Sequence, residues 1–402
     1  MKTVLISAYT CCPNRGSEPG NGWSWLMGYI QNGYTIHCVT SDRYVAQIEK
    51  FCKENNFSNL IFHFSGYNIA RNTKKIPIVG EYLHYYLWLI KARKRVKQLI
   101  AKYEFDHVHH VTFSSIKFGT PVYNTKLKLV IGPLGGGELP DKSLKKYLGR
   151  DYYLEAVKYK IAGFLSFINP TVAASINSSD RILVSNDIAA AIVRKYSSAN
   201  LIRMFDAGLP ENFRMDFIER EIDGVVNILW IGSIIPRKGL NLTIEAVAAL
   251  PADMDFHFFI VGDGPLMQAS QELISTYNLQ SKTTFTGKVS YDTLKDIFSK
   301  AHLLLFPSLI DSCPMQVFEC MAYSLPVVTL DHQGMKEQVP VTAGIRVPVE
   351  RRETSYAQKL ATGIRTIISD PEKYHQYSLN AYKIGQQQLW SKRIEHFVKE
   401  IL

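Results

Sequence analysis

The segment from Pro307 to Glu337, PSLIDSCPMQVFECMAYSLPVVTLDHQGMKE, holds two carboxylates, Asp311 and Glu319, with seven residues between them. Val317, Phe318, Met321 and Ala322 surround Glu319 at helical spacing, so Glu319 lies on an apolar helix and Asp311 in the turn before it. Leu325-Pro326 ends that helix ahead of a strand, Val327–Leu330, while the preceding run His302–Phe306 reads as a buried parallel strand. In an open parallel sheet this turn sits at the carboxyl ends of the strands, where ligands bind. A helix N-terminus there presents free N–H groups and the positive end of a dipole, which suits a phosphate. A carboxylate on such a helix is placed to hold a ribose or a sugar by its hydroxyls.

A second segment carries cations instead. In Ile231–Val247, IGSIIPRKGLNLTIEAV, a strand ends at Gly232, a short loop follows, and Arg237-Lys238-Gly239 opens a helix. Two cations at a helix N-terminus after a parallel strand answer the charge of a pyrophosphate. FIVGDGPLMQ (Phe259–Gln268) is a strand, a Gly-Asp-Gly-Pro turn and a helix, with Gly262 and Gly264 permitting close backbone approach to a ligand. Asp253-Met-Asp255 has the D-x-D form of a divalent-metal site, but it precedes the strand Phe256–Val261 and so falls at the wrong end of it. These acids read as turn residues, and no metal is expected.

Together these segments resemble the retaining glycosyltransferases of the GT-B fold, family 4 (glycosyl transferases group 1), whose signature is E-x7-E. Here Asp311 stands where that family usually carries the first Glu. The resemblance implies Glu319 on the ribose of a nucleotide, and Asp311 near the transferred sugar on a side chain one methylene shorter. It implies Lys238 as the main stabiliser of the leaving group. The family's Arg is replaced by Ser233, so Arg237 is expected to supply the second charge. The Gly287-Lys288-Val289 backbone is expected at the nucleobase, with Ser312, Cys313, Met315 and Gln316 among the donor contacts. Pro314 has no N–H to offer the sugar.

In the first half, TCCPNRGSEPGNGW (Thr10–Trp23) matches the family's glycine-rich loop, so Gly20 and Gly22 are expected to face the donor and Glu18 an acceptor hydroxyl. The strand HVHHVTF supplies a histidine beside the reacting sugar in such enzymes. Asp106-x-x-His109 fits one registration and His110 the other, and His110 is preferred. GPLGGGELP (Gly132–Pro140) is a further glycine-rich loop, with Glu138 as an acceptor-binding acid. The mechanism implied is front-face transfer with retention, without metal or cofactor, from a nucleotide sugar to a lipid-linked or polysaccharide hydroxyl in cell-surface glycan biosynthesis. A GT-B nucleotide-sugar epimerase and a catalytically degenerate nucleotide-binding subunit are the alternatives.

Positioning these residues requires two sets of alternating elements. Strands read at Thr3–Ala8, Thr35–Thr40, Leu60–Phe64, His107–Thr112, Leu127–Ile131 and Arg181–Ser185, with helices at Gly22–Gln31, Tyr82–Tyr103 and Asp187–Tyr196. The plan restarts with strands at Asn227–Ile231, Asp255–Val261 and Thr283–Thr286 and helices at Gly239–Ala249, Pro265–Tyr277 and Thr293–Lys300. Such alternation predicts α/β, doubly wound parallel sheets. The resemblance implies two Rossmann-like domains facing each other across a cleft. The domains are expected at 1–205, completed by a C-terminal helix at 385–402 with Trp390 as its packing anchor, and at 225–384. The charged stretch 206–224, without apolar period, is expected to link them.

A chain of 402 residues exceeds what one core usually supports. Six cysteines (11, 12, 38, 52, 313 and 320) show neither metal-ligand nor disulfide-framework spacing, which fits a reduced, cytoplasmic compartment. MKTVLISAY is too short for a signal h-region, and no apolar run approaches a membrane span. The charge is lopsided. Residues 1–200 hold 26 Lys and Arg against 13 acids, residues 201–402 hold 20 against 23. Two basic stretches are interleaved with aromatics. One contains Arg71, Lys74, Lys75, Tyr82, Tyr85, Tyr86, Trp88 and Lys91–Lys97, and the other runs from Lys145 to Phe167. They read either as contacts to anionic lipid headgroups, making the chain peripheral at the inner membrane face, or as solvated helix faces with aromatics packed inward. No nucleic-acid motif accompanies the charge.

Overall fold

The computed structural model describes residues 2–66, 80–115, 117–197, 200–350 and 355–402. The alternating pattern is realised as two parallel sheets. Strands β1 (Lys2–Ala8), β2 (Tyr34–Thr40), β3 (Leu60–Phe64), β4 (His107–Thr112), β5 (Leu129–Leu134), β6 (Arg181–Val184) and β7 (Leu201–Arg203) form the first, in the order β3-β2-β1-β4-β5-β6-β7. Strands β8 (Val226–Ile231), β9 (Phe256–Val261), β10 (Thr283–Gly287), β11 (Leu303–Leu305), β12 (Val327–Asp331) and β13 (Gly344–Pro348) form the second, in the order β10-β9-β8-β11-β12-β13. In each sheet the order reverses beside the first strand, between β1 and β4 and between β8 and β11, which is where connections part and ligands bind. The outermost strands β7 and β13 were not anticipated. LIR is too short to show a period, and GIRVP is bounded by glycine and proline.

Side-chain alternation explains how the first sheet is held. Leu5 and Tyr9 feed one core with Trp88, Val96 and Val108. Val4, Ile6 and Ala8 feed the other with Trp25, Leu26 and Tyr29. The helix Gly80–Lys102 turns Tyr85, Trp88 and Leu89 into the first core and leaves Lys94, Arg95 and Lys97 exposed. In the described part of the first basic-aromatic stretch the cations therefore lie on an exposed helix face while Tyr85 and Trp88 point inward. Arg71, Lys74, Lys75 and the Tyr82 side chain lie outside the described residues. In the second stretch the structure has three helices, Lys145–Leu148, Asp151–Ile168 and Pro170–Asn177. No helix among the described residues is long and apolar enough to cross a membrane.

Contacts divide the chain into one unit of residues 1–137, 158–208 and 390–402 and another of 138–157 and 209–389. Two boundaries differ from those expected. Residues 209–224 are not a free linker. Phe213 is buried edge-on against Tyr291 and Tyr323, and Arg220 donates to the Phe298 and Tyr323 carbonyls at 3.0 and 2.8 Å. The apolar period is lost because an extended strap is anchored by single residues. Residues 138–157 also pack with the second sheet, where Lys146 and Tyr147 reach Glu245 and Tyr356 donates to Ser143. In the first unit, Trp390 and Phe397 meet Trp25 edge-on, and Ile394 fills the space beside Gly28.

Candidate active site

The loops at the carboxyl ends of β8, β9, β11 and β12 carry the residues of both leading segments. After β8 the chain runs through Gly232-Ser233 into a single turn, Pro236–Lys238, before the helix Leu240–Ala248. Gly239 joins them at φ 71°, and a Cβ there would lie 2.2 Å from the Pro307 carbonyl oxygen, so only glycine fits. That turn aims both cations at one acid. Lys238 Nζ lies 2.7 Å from Asp311 Oδ2 and Arg237 Nη1 lies 3.2 Å from Oδ1. Adjacent side chains need not converge, but these two do.

The Asp311 carboxylate has a further donor, the Ser308 hydroxyl, at 2.5 Å from Oδ2. Its backbone N–H donates to Gln333 Oε1 at 2.9 Å, and Gln333 Nε2 donates to the Leu139 carbonyl at 2.8 Å. Gln333 holds this position at φ 48°, and Gly334 beside it leaves no room for a Cβ, which would fall 1.7 Å from the Ser312 carbonyl oxygen. Lys238 is 6% exposed, and burial lowers its pKa, opposed by Asp311 and reinforced by Arg237. Arg237, with 41% of its side chain exposed, is the solvent-facing member of the pair.

Glu319 stands on the second turn of the helix Met315–Ala322, between Phe318 and Cys320, both fully buried. Its carboxylate has no hydrogen-bond partner among the described residues, and burial pushes its pKa up to about 7. Met315 and Gln316 open this helix after Pro314, with no side chain capping it. Gln338 braces the turn from below, its Nε2 lying 3.2 Å from Cys313 Sγ and 3.3 Å from the Pro314 carbonyl. Ser312, Met315 and Gln316 are half-buried at the same edge.

Gly262 and Gly264 were expected to approach a ligand. They approach the neighbouring loop. A Cβ on Gly262 would lie 1.9 Å from the Gly232 carbonyl oxygen, and one on Gly264 would lie 2.5 Å from that of Ile234. Ile234 N–H donates to the Asp263 carbonyl at 2.9 Å, so the glycines let the loops after β8 and β9 lie side by side. Lys288 is exposed and Val289 half-buried after β10. Asp253 and Asp255 are exposed at the amino end of β9, away from these loops.

In the first unit the helix begins at Ser17, not Gly22, so Gly20 and Gly22 are helical. Their missing side chains make room for the Arg15 and Thr10 carbonyls, at 2.0 and 2.4 Å from the Cβ positions. Glu18, in the first turn, accepts the Ser114 N–H at 2.7 Å. Burial raises its pKa to about 7 against the pull of that bond. His109 and His110 point to opposite faces of β4. His109 is fully buried, with Nδ1 2.9 Å from the Tyr29 hydroxyl and Nε2 2.8 Å from the Gly132 carbonyl, and it stacks on Phe397. It is a core residue, not an acceptor ligand. His110 Nδ1 lies 2.9 Å from the Ser7 hydroxyl, and burial lowers its pKa to about 4. At 2% exposed, it stands beneath the surface. Glu138, half-buried, groups with residues 139–157 in the second unit and not with Glu18.

Ser308 and Gln333 were missed. The only signal for Ser308 is a hydroxyl three residues before Asp311, and for Gln333 a polar residue between a strand and Gly334.

Residues 214–384 match the family described as Glycosyl transferases group 1. The chain is 30% identical over 156 residues to an alpha-D-kanosaminyltransferase of Streptomyces kanamyceticus, covering 38% of this chain and 39% of that protein. It is 26% identical over 184 residues to the GPI3 subunit of a Saccharomyces cerevisiae phosphatidylinositol N-acetylglucosaminyltransferase, covering 43% and 40%. The matches thus span well under half the length of these relatives. Among solved structures, Anabaena HepE in complex with UDP superposes over 100% of both chains, with a TM-score of 0.60 at 14% identity. Residues 214–384 are therefore similar to the group 1 glycosyltransferases, and the chain has the GT-B fold.

Proposed function

We propose that this protein is a retaining, metal-independent glycosyltransferase of family 4. It moves a sugar from a nucleotide-sugar donor to a hydroxyl of a lipid-linked or polysaccharide acceptor, at the cytoplasmic face of a membrane, in cell-surface glycan biosynthesis. The observation that carries this reading is the convergence of Lys238 and Arg237 on Asp311, at the mouth of a parallel sheet whose next helix bears the unpaired Glu319. UDP in the HepE structure and the acceptor lipid in the name of the GPI3 relative support donor and acceptor classes.

In this reading the diphosphate of the donor takes the cations that Asp311 now holds, and Glu319 accepts hydrogen bonds from the ribose hydroxyls. The bond between the anomeric carbon and the phosphate oxygen breaks with its electron pair going to the nucleotide, whose charge Lys238 and Arg237 take up. The acceptor oxygen bonds to the anomeric carbon from the same face, and its proton passes to the departing phosphate oxygen. Ser308 and Gln333 hold Asp311 in place throughout.

The test is nucleotide release from a panel of nucleotide sugars in EDTA, with and without a bacterial lipid extract. Acceptor-dependent release from one donor is the expected result. Release without acceptor, with an altered sugar, assigns an epimerase instead. Silence with retained nucleotide binding assigns a binding subunit.

A further inference from the structure

The helix Asp151–Ile168 has its polarity reversed. At about 100° per residue, Tyr153, Leu154, Val157, Lys160, Ile161, Phe164 and Phe167 share one arc of roughly 140°. The described apolar members of that arc face outward, from 46% exposure at Ile161 to 64% at Phe164 and 82% at Phe167. Among the described side chains of the other side, Tyr152, Lys158 and Tyr159 are half-buried. Ala162 and Ser166 are buried, and the helix's two acids, Asp151 and Glu155, are half-buried. A soluble helix normally does the opposite. An apolar face of this kind left uncovered marks an interaction surface.

Charge decides what covers it. The one charged residue on the exposed arc is the cation Lys160. Lys145 extends over the Tyr153 ring, 4.8 Å from its centroid, and sets a second cation at the edge of the apolar face. Arg150, exposed, precedes the helix. Tyr152 and Tyr153, in edge contact, stand at one end. Apolar side chains, a cationic rim and tyrosines at the boundary match a helix lying in the plane of an anionic bilayer surface.

We propose that the Asp151–Ile168 helix is a membrane-surface anchor that inserts Leu154, Val157, Ile161, Phe164 and Phe167 among acyl chains and sets Lys145, Arg150 and Lys160 against anionic headgroups. This deepens the lipid-acceptor reading above, but its test requires no donor and no turnover. The full-length protein is floated with phosphatidylcholine vesicles with and without phosphatidylglycerol. It binds the anionic vesicles and is released by salt. Phe164→Glu/Phe167→Glu weakens partitioning about a hundredfold, and Lys160→Ala about fivefold. Both variants keep the thermal melt and UDP affinity of the unmodified protein, since the residues are exposed and outside the nucleotide site. Equal partitioning of the double variant, or no preference for anionic vesicles, overturns the proposal. A vesicle-free dimer by light scattering that the double variant dissolves overturns it too, and gives the face to a second copy of the chain. Failure of nucleotide release with vesicle binding intact refutes the transferase reading alone.

Discussion

Replacing Lys238 by alanine separates what the buried cation does for the fold from what it does for turnover. Lys238 and Asp311 are 2.7 Å apart, with 7% and 10% of their side chains exposed. Removing one partner of a buried pair costs ~3–5 kcal/mol. Asp311 retains Arg237 at 3.2 Å and the Ser308 hydroxyl at 2.5 Å, so the lower end, about 3 kcal/mol, is expected here. Turnover loses a transition-state charge partner in a desolvated site, which is worth ~10²–10³-fold. The assay is initial-rate nucleotide release together with a denaturation curve. Lys238→Ala/Asp311→Ala then distinguishes the two effects. Removing the stranded carboxylate recovers most of the lost stability, while turnover stays low because the departing diphosphate still lacks its cation. If Lys238→Ala retained turnover within a few-fold, or the double variant restored it, Lys238 would not be the leaving-group stabiliser.

Arg237→Ala is expected to lower turnover about tenfold, and to leave stability within ~1 kcal/mol because its side chain is 41% exposed. Glu319 binds its proton more tightly folded, with a pKa near 7, than unfolded, so its ionisation costs stability as pH rises from the ordinary carboxylate value through about 7. Between pH 5 and 8, Glu319→Gln should therefore lose less stability than the unmodified protein, by up to about 3 kcal/mol, in parallel urea titrations. Glu18 has the same sign and cancels in that difference. UDP binding measured by calorimetry should tighten through about pH 7 by more in the unmodified protein than in Glu319→Gln, where only the terminal phosphate's own ionisation contributes. Gly262→Ala puts a Cβ 1.9 Å from the Gly232 carbonyl at φ 133°, so it should cost ~2 kcal/mol or more and weaken UDP binding by displacing the β8 loop.

The placement of Lys238, Asp311 and Glu319 at one end of the second sheet was legible because residue type, a strand before and a helix after each act locally, and the parallel topology then forces their loops together there. What brings partners from distant segments together was not legible. Ser308 and Gln333 are ordinary polar residues until the β11 and β12 loops meet. The glycines misled for a related reason. A missing Cβ signals close approach without naming what approaches, and at Gly20, Gly22, Gly262 and Gly264 it is the chain's own backbone. His109 and His110 differ by one position on a strand, so sequence could not say that one would saturate both ring nitrogens in the core. For the stretch Lys145–Phe167 the sequence left lipid contact and inward packing both open, because an outward apolar face reads the same as an inward one until the fold sets its orientation.

The first unit includes residues 390–402, and the second includes 138–157, so the chain passes from one unit to the other four times. On the ribosome, where N-terminal domains generally fold first, this order cannot be followed to completion. Trp390, Ile394 and Phe397 belong to the apolar core around Trp25 and Tyr29, and they are synthesised after every strand of the second sheet. Until they emerge, Trp25 and Tyr29 lack part of their packing. A nascent chain with a complete second sheet therefore still presents an unfinished first core, with exposed apolar surface of the kind that chaperones bind.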